Sequence, residues 1–306
     1  MHYLVLALIS FGVAALGSLI GAGGGFLLMP VLLFLYAGTK HGDLVLGPRE
    51  LTFISLCAVF INGLAASLNY ARMKRIDYRT AVTLAVCCIP VVIAARRLLA
   101  SVRGDRFSPL FGVILIAISA FIIWRVRRRG DASAHRVEPK PHWTRRHIED
   151  VYEIEYDYAF DMRTGVGASL AGGFIGAFFG IGGGILHVPV MTQLLNFPAH
   201  IAAATSILIL TMTAATGIVT DIVSGGTNVP IFLALAAGAG AFLGAQVGTR
   251  LSMRVSGERI LYLLATVLIL CGGKLVVEAL MEKAPPLVEP PAQTDVLGEP
   301  PAVDGP

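Results

Sequence analysis

Long apolar stretches separated by short charged segments dominate this sequence. A helix needs about 20 apolar residues to cross the hydrocarbon core of a bilayer, and membrane proteins of this kind confine their charges to loops and ends. The stretches therefore predict an all-α integral membrane protein that crosses the bilayer several times. They cover residues 2–36, 51–70, 80–95, 107–124, 164–197, 201–223, 229–249 and 260–281.

The composition excludes several other classes of protein. Only 14% of the residues are charged, against about 25% in a soluble globular domain. Much of the net charge of +4 is arginine beside apolar spans, where positive charge sets membrane topology and does not signal nucleic-acid binding. The four cysteines lie inside apolar stretches without metal-ligand spacing. We therefore expect no enzyme, no bound metal, no cofactor and no nucleic-acid partner.

Two glycine-rich breaks, Gly21–Gly25 and Gly180–Gly184, interrupt the first and fifth apolar stretches. The breaks and the residues around them match at a constant offset of 159, from Gly17 and Gly176 through Pro30 and Pro189. A shorter following loop changes the offset to 153, which aligns Thr52 with Thr205 and Arg97 with Arg250. Matches of this kind indicate an internal duplication.

The duplication predicts four parts of the chain. Two homologous transmembrane repeats, 1–124 and 164–281, flank a charged linker at 125–163, and a Pro-rich tail at 282–306 is expected to be disordered. Residues 125–147 are strongly basic and suit a surface beside anionic lipid. The rest of the linker is acidic and is expected to be solvated, with a role in partner binding as the alternative.

Each repeat is expected to contain four or five membrane segments. The glycine-broken stretches hold about 34 residues, enough for one long and one short pass if the break is a turn. Five passes place most basic loops on one side, as the positive-inside rule requires, whereas four passes fit worse. Five passes also predict inverted repeats in a bacterial inner membrane, with a cytoplasmic linker and periplasmic termini. Arg96, Arg97, Arg103 and Arg106 violate this charge rule, because they fall near the outer side.

The breaks are the first candidate binding elements. Unpaired backbone N–H groups at membrane depth are tolerated where they line a cavity, and a helix N-terminus attracts anions. The predicted ligands are Gly23, Gly24, Gly25, Gly182, Gly183 and Gly184. Alternatively, glycines only permit close helix packing. We favour that interpretation for Gly240, Gly244 and Gly248, which would pack within the chain or form a homodimer.

Polar side chains on apolar spans supply further candidates. Thr52 and Thr205 stand at aligned positions, with Ser55 and Ser206 beside them, although Ser and Thr in membrane helices often bond only to their own backbone. Asn62 is costlier to bury without a partner.

Ionisable residues within membrane spans are costly to bury and are therefore candidates for a functional role. His187, where the first repeat has Leu28, is expected either to exchange a proton or bind an anion, or to be neutral beside a carbonyl. Arg97 and Arg250 are secondary candidates that would attract an anion or extend to the membrane surface. Asp221 lies near a span end and is expected to be solvated.

The two breaks, each followed by a proline, and the motif Ala204-Thr205-Ser206 resemble the TauE/SafE sulfite exporter family of membrane permeases. The resemblance covers nearly all of residues 1–281. It implies transport of sulfite, sulfoacetate, thiosulfate or another small organic anion. The first repeat departs from the pattern at Leu51-Thr52-Phe53 and at Arg96-Arg97.

These observations together predict a secondary transporter, an exporter of a small sulfur-containing anion. The anion would bind at the midplane between the breaks, and the repeats would rock to alternate access, with protons as the candidate coupling ion. The alternatives are a passive anion channel, and an intramembrane enzyme or assembly scaffold.

Overall fold

The computed structural model describes residues 2–21, 23–36, 40–41, 44–102, 104–131, 143–225, 229, 231–252 and 257–282. Helices dominate these ranges, five before the linker and five after it. They are α1 His2–Ile20, α2 Gly25–Tyr36, α3 Pro48–Arg72, α4 Tyr78–Leu99, α5 Gly104–Asp131, α6 Met162–Phe178, α7 Gly184–Gln193, α8 Ala199–Val223, α9 Ile231–Ser252 and α10 Gly257–Glu282. The expected Pro-rich tail lies outside the described residues, apart from the end of α10.

Two antiparallel strand pairs accompany the helices. β1 (Lys40–His41) pairs with β2 (Leu44–Val45). β3 (Thr144–Glu149) and β4 (Glu155–Phe160) form a hairpin, in which Thr144 faces Phe160 and Glu149 faces Glu155.

Five of the described helices are long and apolar enough to cross a bilayer: α3, α4, α5, α8 and α9. α1 and α10 contain shorter apolar segments, Leu4–Leu19 and Ala265–Val277. Many large apolar side chains on their outer faces are exposed, including Leu68, Phe232 and Leu270, which suits a lipid environment and not water. The prediction of an all-α integral membrane protein is confirmed.

Each glycine-rich break reverses the chain. Three glycines per break have φ between +71° and +82°, at equivalent positions 159 residues apart, and this left-handed region favours glycine. After the first break, Leu28 returns to lie beside Ser10 of α1. After the second, His187 returns to lie against Gly172 of α6. α7 has only 10 residues and spans about 15 Å, so it returns part of the way.

Equivalent helices of the two halves make equivalent contacts. α1 packs on α9 as α6 packs on α4, and α3 contacts α9 as α8 contacts α4. α3 and α8 meet at the centre, and α5 packs on α10. The same helix order in both halves thus builds one interlocked bundle.

The predicted offset of 153 between α3 and α8 is wrong. α3 starts at Pro48 and α8 at Ala199, an offset of 151. α7 is two residues shorter than α2, and the loop before α8 is six residues shorter than the loop before α3. Thr52 is therefore equivalent to Ala203, not to Thr205. Ser55 is equivalent to Ser206.

The prediction that the acidic part of the linker is solvated is wrong for part of this segment. Asp150, at the turn of the hairpin, is only 2% exposed because Arg75 of the α3–α4 loop donates to it at 2.7 Å. Val151 N–H also donates to Met73 C=O at 3.3 Å. The rings of Tyr158 and Phe197 pack with centroids 4.4 Å apart. The hairpin is therefore docked on the helices, and we call this end of the bundle the hairpin side.

Asp77 joins the start of α4 to the hairpin. Its carboxylate accepts hydrogen bonds from the Thr80 N–H at 3.1 Å and the Thr80 hydroxyl at 2.6 Å, the arrangement of a helix N-cap. The same carboxylate accepts the Tyr158 hydroxyl of β4 at 2.9 Å. α3 ends on the hairpin side, and its first residue, Pro48, lies about 36 Å away on the opposite side.

Gly240, Gly244 and Gly248 line the contact between α9 and α1. A methyl group on Gly240 would overlap the carbonyl of Ala7, and one on Gly248 would overlap the carbonyl of Ala15. This ridge is used within the chain, so the sequence feature that suggested a homodimer has an intramolecular explanation.

Candidate functional site

The two glycine-rich turns meet at the centre of the bundle. A Cβ placed on Gly25 would lie 3.0 Å from the Cα of Ile181 and 2.5 Å from Cγ2 of Val59. Val59 of α3 and Leu210 of α8 both lie against Gly182, and Leu210 also lies against Gly23. The predicted convergence of the breaks is therefore seen, with apolar side chains between them.

Polar side chains of α3 and α8, one from each half, hold the first turn. The Ser206 hydroxyl donates to Gly21 C=O at 2.8 Å, and Asn62 Nδ2 donates to Gly23 C=O at 2.7 Å. Asn62 Oδ1 accepts the Ser18 hydroxyl at 2.6 Å. Ser206 and Asn62, both predicted ligands, are thus already engaged in shaping the turn.

The second turn is held at the equivalent positions. The Ser55 hydroxyl donates to Gly180 C=O at 2.8 Å, and the Thr213 hydroxyl donates to Gly182 C=O at 2.9 Å. The carbonyls of both turns are thereby satisfied, and the predicted ligand Ser55 also has a structural partner.

Unlike the turn carbonyls, several backbone N–H groups of the turns have no partner among the described residues. Within the described parts of the chain, Gly24, Gly25, Gly183 and Gly184 donate no backbone hydrogen bond to another residue. They begin α2 and α7, where the helix dipole adds partial positive charge. The turns therefore present donors and positive potential without a fixed charge, as an anion site requires.

Two serines that were not predicted are buried on α1 and α6, and Ser10 shares a cavity with the first helix start. Ser10 and Ser169 are each 1% exposed, and neither hydroxyl has a hydrogen-bond partner among the described residues. They are equivalent positions, 159 residues apart, so the repeat offset could have found them. A buried hydroxyl without a partner is costly, which makes both serines candidate ligand donors.

A small cavity connects Ser10 with the first turn. It has a volume of about 10 Å³ and is lined by Ser10, Gly23, Gly24, Gly25 and Leu28, together with Val13, Ala14, Ala58, Val59 and Ala241. That volume is about the minimum for one water molecule. The cavity is therefore too small for a polyatomic ligand in this conformation.

His187 occupies the place of Leu28 in the second half. Its ring is 1% exposed, Nδ1 lies 2.8 Å from Gly183 C=O, and Nε2 has no partner among the described residues. The carbonyl contact fits a neutral ring with its proton on Nδ1, which leaves Nε2 as an acceptor. The carbonyl contact of the neutral alternative is present, and Nε2 remains able to take a proton, as the other alternative requires.

Thr205 and Thr52 lie at opposite ends of the bundle. The Thr205 hydroxyl accepts the Asp77 N–H at 3.1 Å on the hairpin side. The Thr52 hydroxyl donates to Arg49 C=O at 2.9 Å and accepts from Arg96 at 3.0 Å. The structure does not bring these two predicted ligands together.

Arg96 and Asp221 form a fully buried ion pair on the opposite side. Each side chain is at most 1% exposed, and two guanidinium nitrogens contact the carboxylate. Arg96 also donates to Ala177 C=O at 3.0 Å. We call Arg96, Asp221, Thr52 and Ala177 the ionic cluster. The expectation of a solvated Asp221 is wrong because Arg96 neutralises it.

Uncharged groups occupy the equivalent place on the hairpin side. The Tyr70 hydroxyl contacts Ser18 C=O and the Ser252 hydroxyl, both at 3.0 Å. Ser18 is equivalent to Ala177 at the offset of 159, and Tyr70 to Asp221 at 151. We call Tyr70, Ser18 and Ser252 the neutral cluster. The two ends of the bundle are thus closed by different chemistry.

The predicted secondary candidates Arg97 and Arg250 are both exposed. Arg96, the neighbour of Arg97, is the arginine that enters the bundle, because its side of α4 faces α8. Arg250 lines a surface cavity on the hairpin side. Among the described residues, no group of three or more His, Cys, Asp or Glu side chains could hold a metal ion.

Fold and site together define a multi-pass membrane protein in which two short helices start at the centre of the bundle, an architecture of membrane transporters. The sequence model of the family described as Sulfite exporter TauE/SafE matches residues 6–275. The chain belongs to this family, and it is a membrane transporter of the TauE/SafE type.

Curated relatives agree with this assignment. The chain is 30% identical over 280 residues to the probable membrane transporter protein YunE of Bacillus subtilis, covering 92% of this chain and 99% of the relative. It is 24% identical over 274 residues to a probable membrane transporter protein of Methanocaldococcus jannaschii, covering 86% and 91%. No solved structure shows a significant match to the chain.

Proposed function

We propose that this protein is a secondary transporter that exports a small sulfur-containing anion, such as sulfite, sulfoacetate or another organosulfonate. The anion would bind between the N-terminal ends of α2 and α7. The single observation that carries the proposal is the set of unpaired donors there, namely the turn N–H groups together with the buried Ser10 and Ser169 hydroxyls.

Binding would use donors that the closed state leaves without partners. The N–H groups of Gly24, Gly25, Gly183 and Gly184 suit the oxygens of a pyramidal or tetrahedral anion. Ser10 and Ser169 would add one hydroxyl from each half. Ser55, Ser206 and Asn62 would act indirectly, because they fix the turns that present the N–H groups.

Transport would proceed by alternating access between inverted repeats. Opening to the hairpin side would separate the neutral cluster, and opening to the opposite side would separate the ionic cluster. The positive-inside rule places the linker in the cytoplasm and both termini in the periplasm of a bacterial inner membrane. Arg96 lies on the periplasmic side in this orientation, but Asp221 cancels its charge, so it adds no net positive charge there.

His187 is the proposed site of proton coupling. Its free Nε2 lies on the half-helix that begins at the second turn, so a proton there would add charge close to the anion. His187→Asn retains a side-chain amide near the position of Nδ1 and removes Nε2. We expect this variant to exchange the anion across the membrane but to lose acceleration by a pH gradient.

Counterflow in proteoliposomes tests the proposal. Vesicles loaded with unlabelled sulfite or sulfoacetate should take up the labelled anion faster than empty vesicles, because a carrier must return through its loaded state. Flux that ignores the internal anion would instead establish a channel. Absence of flux for every sulfur anion, from protein that remains folded, would remove the proposed substrate class.

A further inference from the structure

The hairpin side carries an open cavity that lies apart from the central site. Its volume is about 200 Å³, large enough for an oxyanion with some of its hydration water. Three separate parts of the chain form its walls: the end of α3, the end of α9 and the turn of the β3–β4 hairpin. The lining residues are Asn69, Arg72, Met73, Val151, Tyr152 and Arg250.

Two guanidinium groups give this cavity its charge. Arg72 and Arg250 are exposed, and neither forms an ion pair with a carboxylate in the described parts of the chain. The nearby Arg75 is already committed to Asp150 and lies over the Tyr152 ring at 5.8 Å. Arg72 and Arg250 therefore offer planar, multidentate donors that match an oxyanion.

The cavity lies directly above the neutral cluster. Its lining residue Asn69 is the neighbour of Tyr70 and donates to Thr249 at 2.9 Å and to Gln246 at 3.0 Å. Tyr70 in turn contacts Ser18, three residues before the first glycine turn. An anion held in the cavity would therefore sit at the hairpin-side mouth of the proposed route.

The linker contributes one wall of the site. Val151 and Tyr152 reach the cavity because the Arg75–Asp150 pair and the Val151–Met73 backbone bond dock the hairpin turn. Without that docking, the two arginines would lie on an open surface, where screening makes single ion pairs weak.

We infer that this cavity is a second anion site, in which Arg72 and Arg250 hold a small oxyanion at the mouth of the transport route and the docked hairpin completes the enclosure. The inference rests on the proposed function for the identity of the occupant, a free sulfur oxyanion. A phospholipid phosphate offers the same chemistry and is the competing source.

The test compares wild type with Arg72→Gln/Arg250→Gln. The matched control is Arg79→Gln/Arg163→Gln, which removes two exposed arginines from the same side without touching the cavity. In proteoliposomes, the cavity variant should raise the KM for sulfite about fivefold, as expected for losing two partly screened charge contacts. Its kcat should stay within about twofold, since the central site is intact. The control should match wild type in both constants.

Calorimetric titration with sulfite and with inorganic phosphate, in detergent at low ionic strength, provides a readout that does not depend on transport. A binding component that is present in wild type and control and missing from the cavity variant, beside the component of the intact central site, supports the cavity site. If the binding difference between wild type and the cavity variant is observed but wild type transports no sulfur anion, the cavity site stands and the proposed function falls. Equal binding and equal KM in all three proteins would overturn the inference. An unchanged KM together with loss of copurified phospholipid phosphorus from the cavity variant alone would assign the cavity to lipid and overturn it as well.

Discussion

At the residue scale, buried polar groups of two kinds surround the glycine turns. Ser55, Ser206, Asn62 and Thr213 each donate to a turn carbonyl. Ser10 and Ser169 are equally buried, yet their hydroxyls have no partner in the described structure. Hydrogen bonds to the turns offset the burial of the first kind, whereas we propose a ligand as the missing partner of the second kind.

This distinction predicts different effects of similar substitutions on stability. Ser55→Ala should lower the free energy of unfolding by about 1–3 kcal/mol, because it leaves Gly180 C=O buried without a donor. Ser10→Ala and Ser169→Ala should leave it unchanged or raise it by up to about 1 kcal/mol, since no protein hydrogen bond is lost and a costly unpaired hydroxyl is removed. Thermal unfolding of the purified variants in detergent measures both. Equal destabilisation by all three would show that the two serines are structural.

At the level of the helices, close packing depends on glycine where α9 crosses α1. A methyl group on Gly240 would overlap the Ala7 carbonyl, whereas one on Gly273 of α10 meets no atom within 4 Å. Gly240→Ala should therefore destabilise the protein by about 1–3 kcal/mol through overpacking. Gly273→Ala is the matched control and should be neutral or slightly stabilising, since alanine is the better helix former. A neutral Gly240→Ala would contradict the α1–α9 contact.

The ionic cluster makes a second prediction about helix contacts, here between α4 and α8. Asp221→Asn leaves the buried Arg96 without a counter-charge and should cost about 3–5 kcal/mol. Arg96→Gln/Asp221→Asn removes both charges and should recover most of that loss. A double-mutant cycle on unfolding free energies gives the coupling. Additive effects of the two single changes would show that the pair does not hold these helices together.

Sequence periodicity and internal matches predict the helices, the turns and the general position of the site, because apolar length and glycine breaks are local signals. The equivalence of Thr52 with Thr205 was wrong because small apolar residues on α3 and α8 match almost as well at either offset. The helix starts at Pro48 and Ala199, which depend on loop length, decide the register. The Arg96–Asp221 pair joins residues 125 positions apart, and no spacing pattern in the sequence identifies such a contact.

On the scale of the whole molecule, the docked hairpin ties the linker to the membrane helices through Asp150. Burial raises the pKa of Asp150, but hydrogen bonds from Arg75 and from the N–H groups of Ile154 and Tyr152 outweigh it, so the native pKa lies below the ordinary 3.8. A lowered native pKa means that ionised Asp150 stabilises docking above about pH 4, and that this stabilisation is lost as the pH falls through the native value.

We therefore expect hydrogen exchange at the β3–β4 amides to accelerate below pH 4, after correction for the intrinsic rates. Asp150→Asn should show faster exchange there already at pH 7 and a weaker acid dependence. Amides in the middle of α8 serve as the internal control. Protection of the hairpin that is identical in wild type and variant at pH 7 would show that the Arg75–Asp150 pair does not dock it.

The two ends of the molecule differ in what must be separated on opening. The hairpin side is closed by neutral hydrogen bonds and the opposite side by a buried ion pair. Separating buried charges costs more than separating neutral groups unless water or another ion replaces the partner. Under the proposed alternating access, we therefore expect opening toward the hairpin side in the absence of substrate, the side from which an exporter loads if the linker is cytoplasmic.

The central claim is that unpaired donors at the two glycine turns bind a sulfur oxyanion. The most direct measurement is thermal stabilisation of purified wild type and Ser10→Ala/Ser169→Ala by sulfite, sulfate, thiosulfate, sulfoacetate and taurine, with acetate as the reference anion. A ligand at 100 times its Kd stabilises by about 2.7 kcal/mol. The account predicts that at least one sulfur anion stabilises wild type more than acetate does, and that the double variant loses most of this effect. Equal stabilisation by acetate, or an undiminished effect in the double variant, would contradict it.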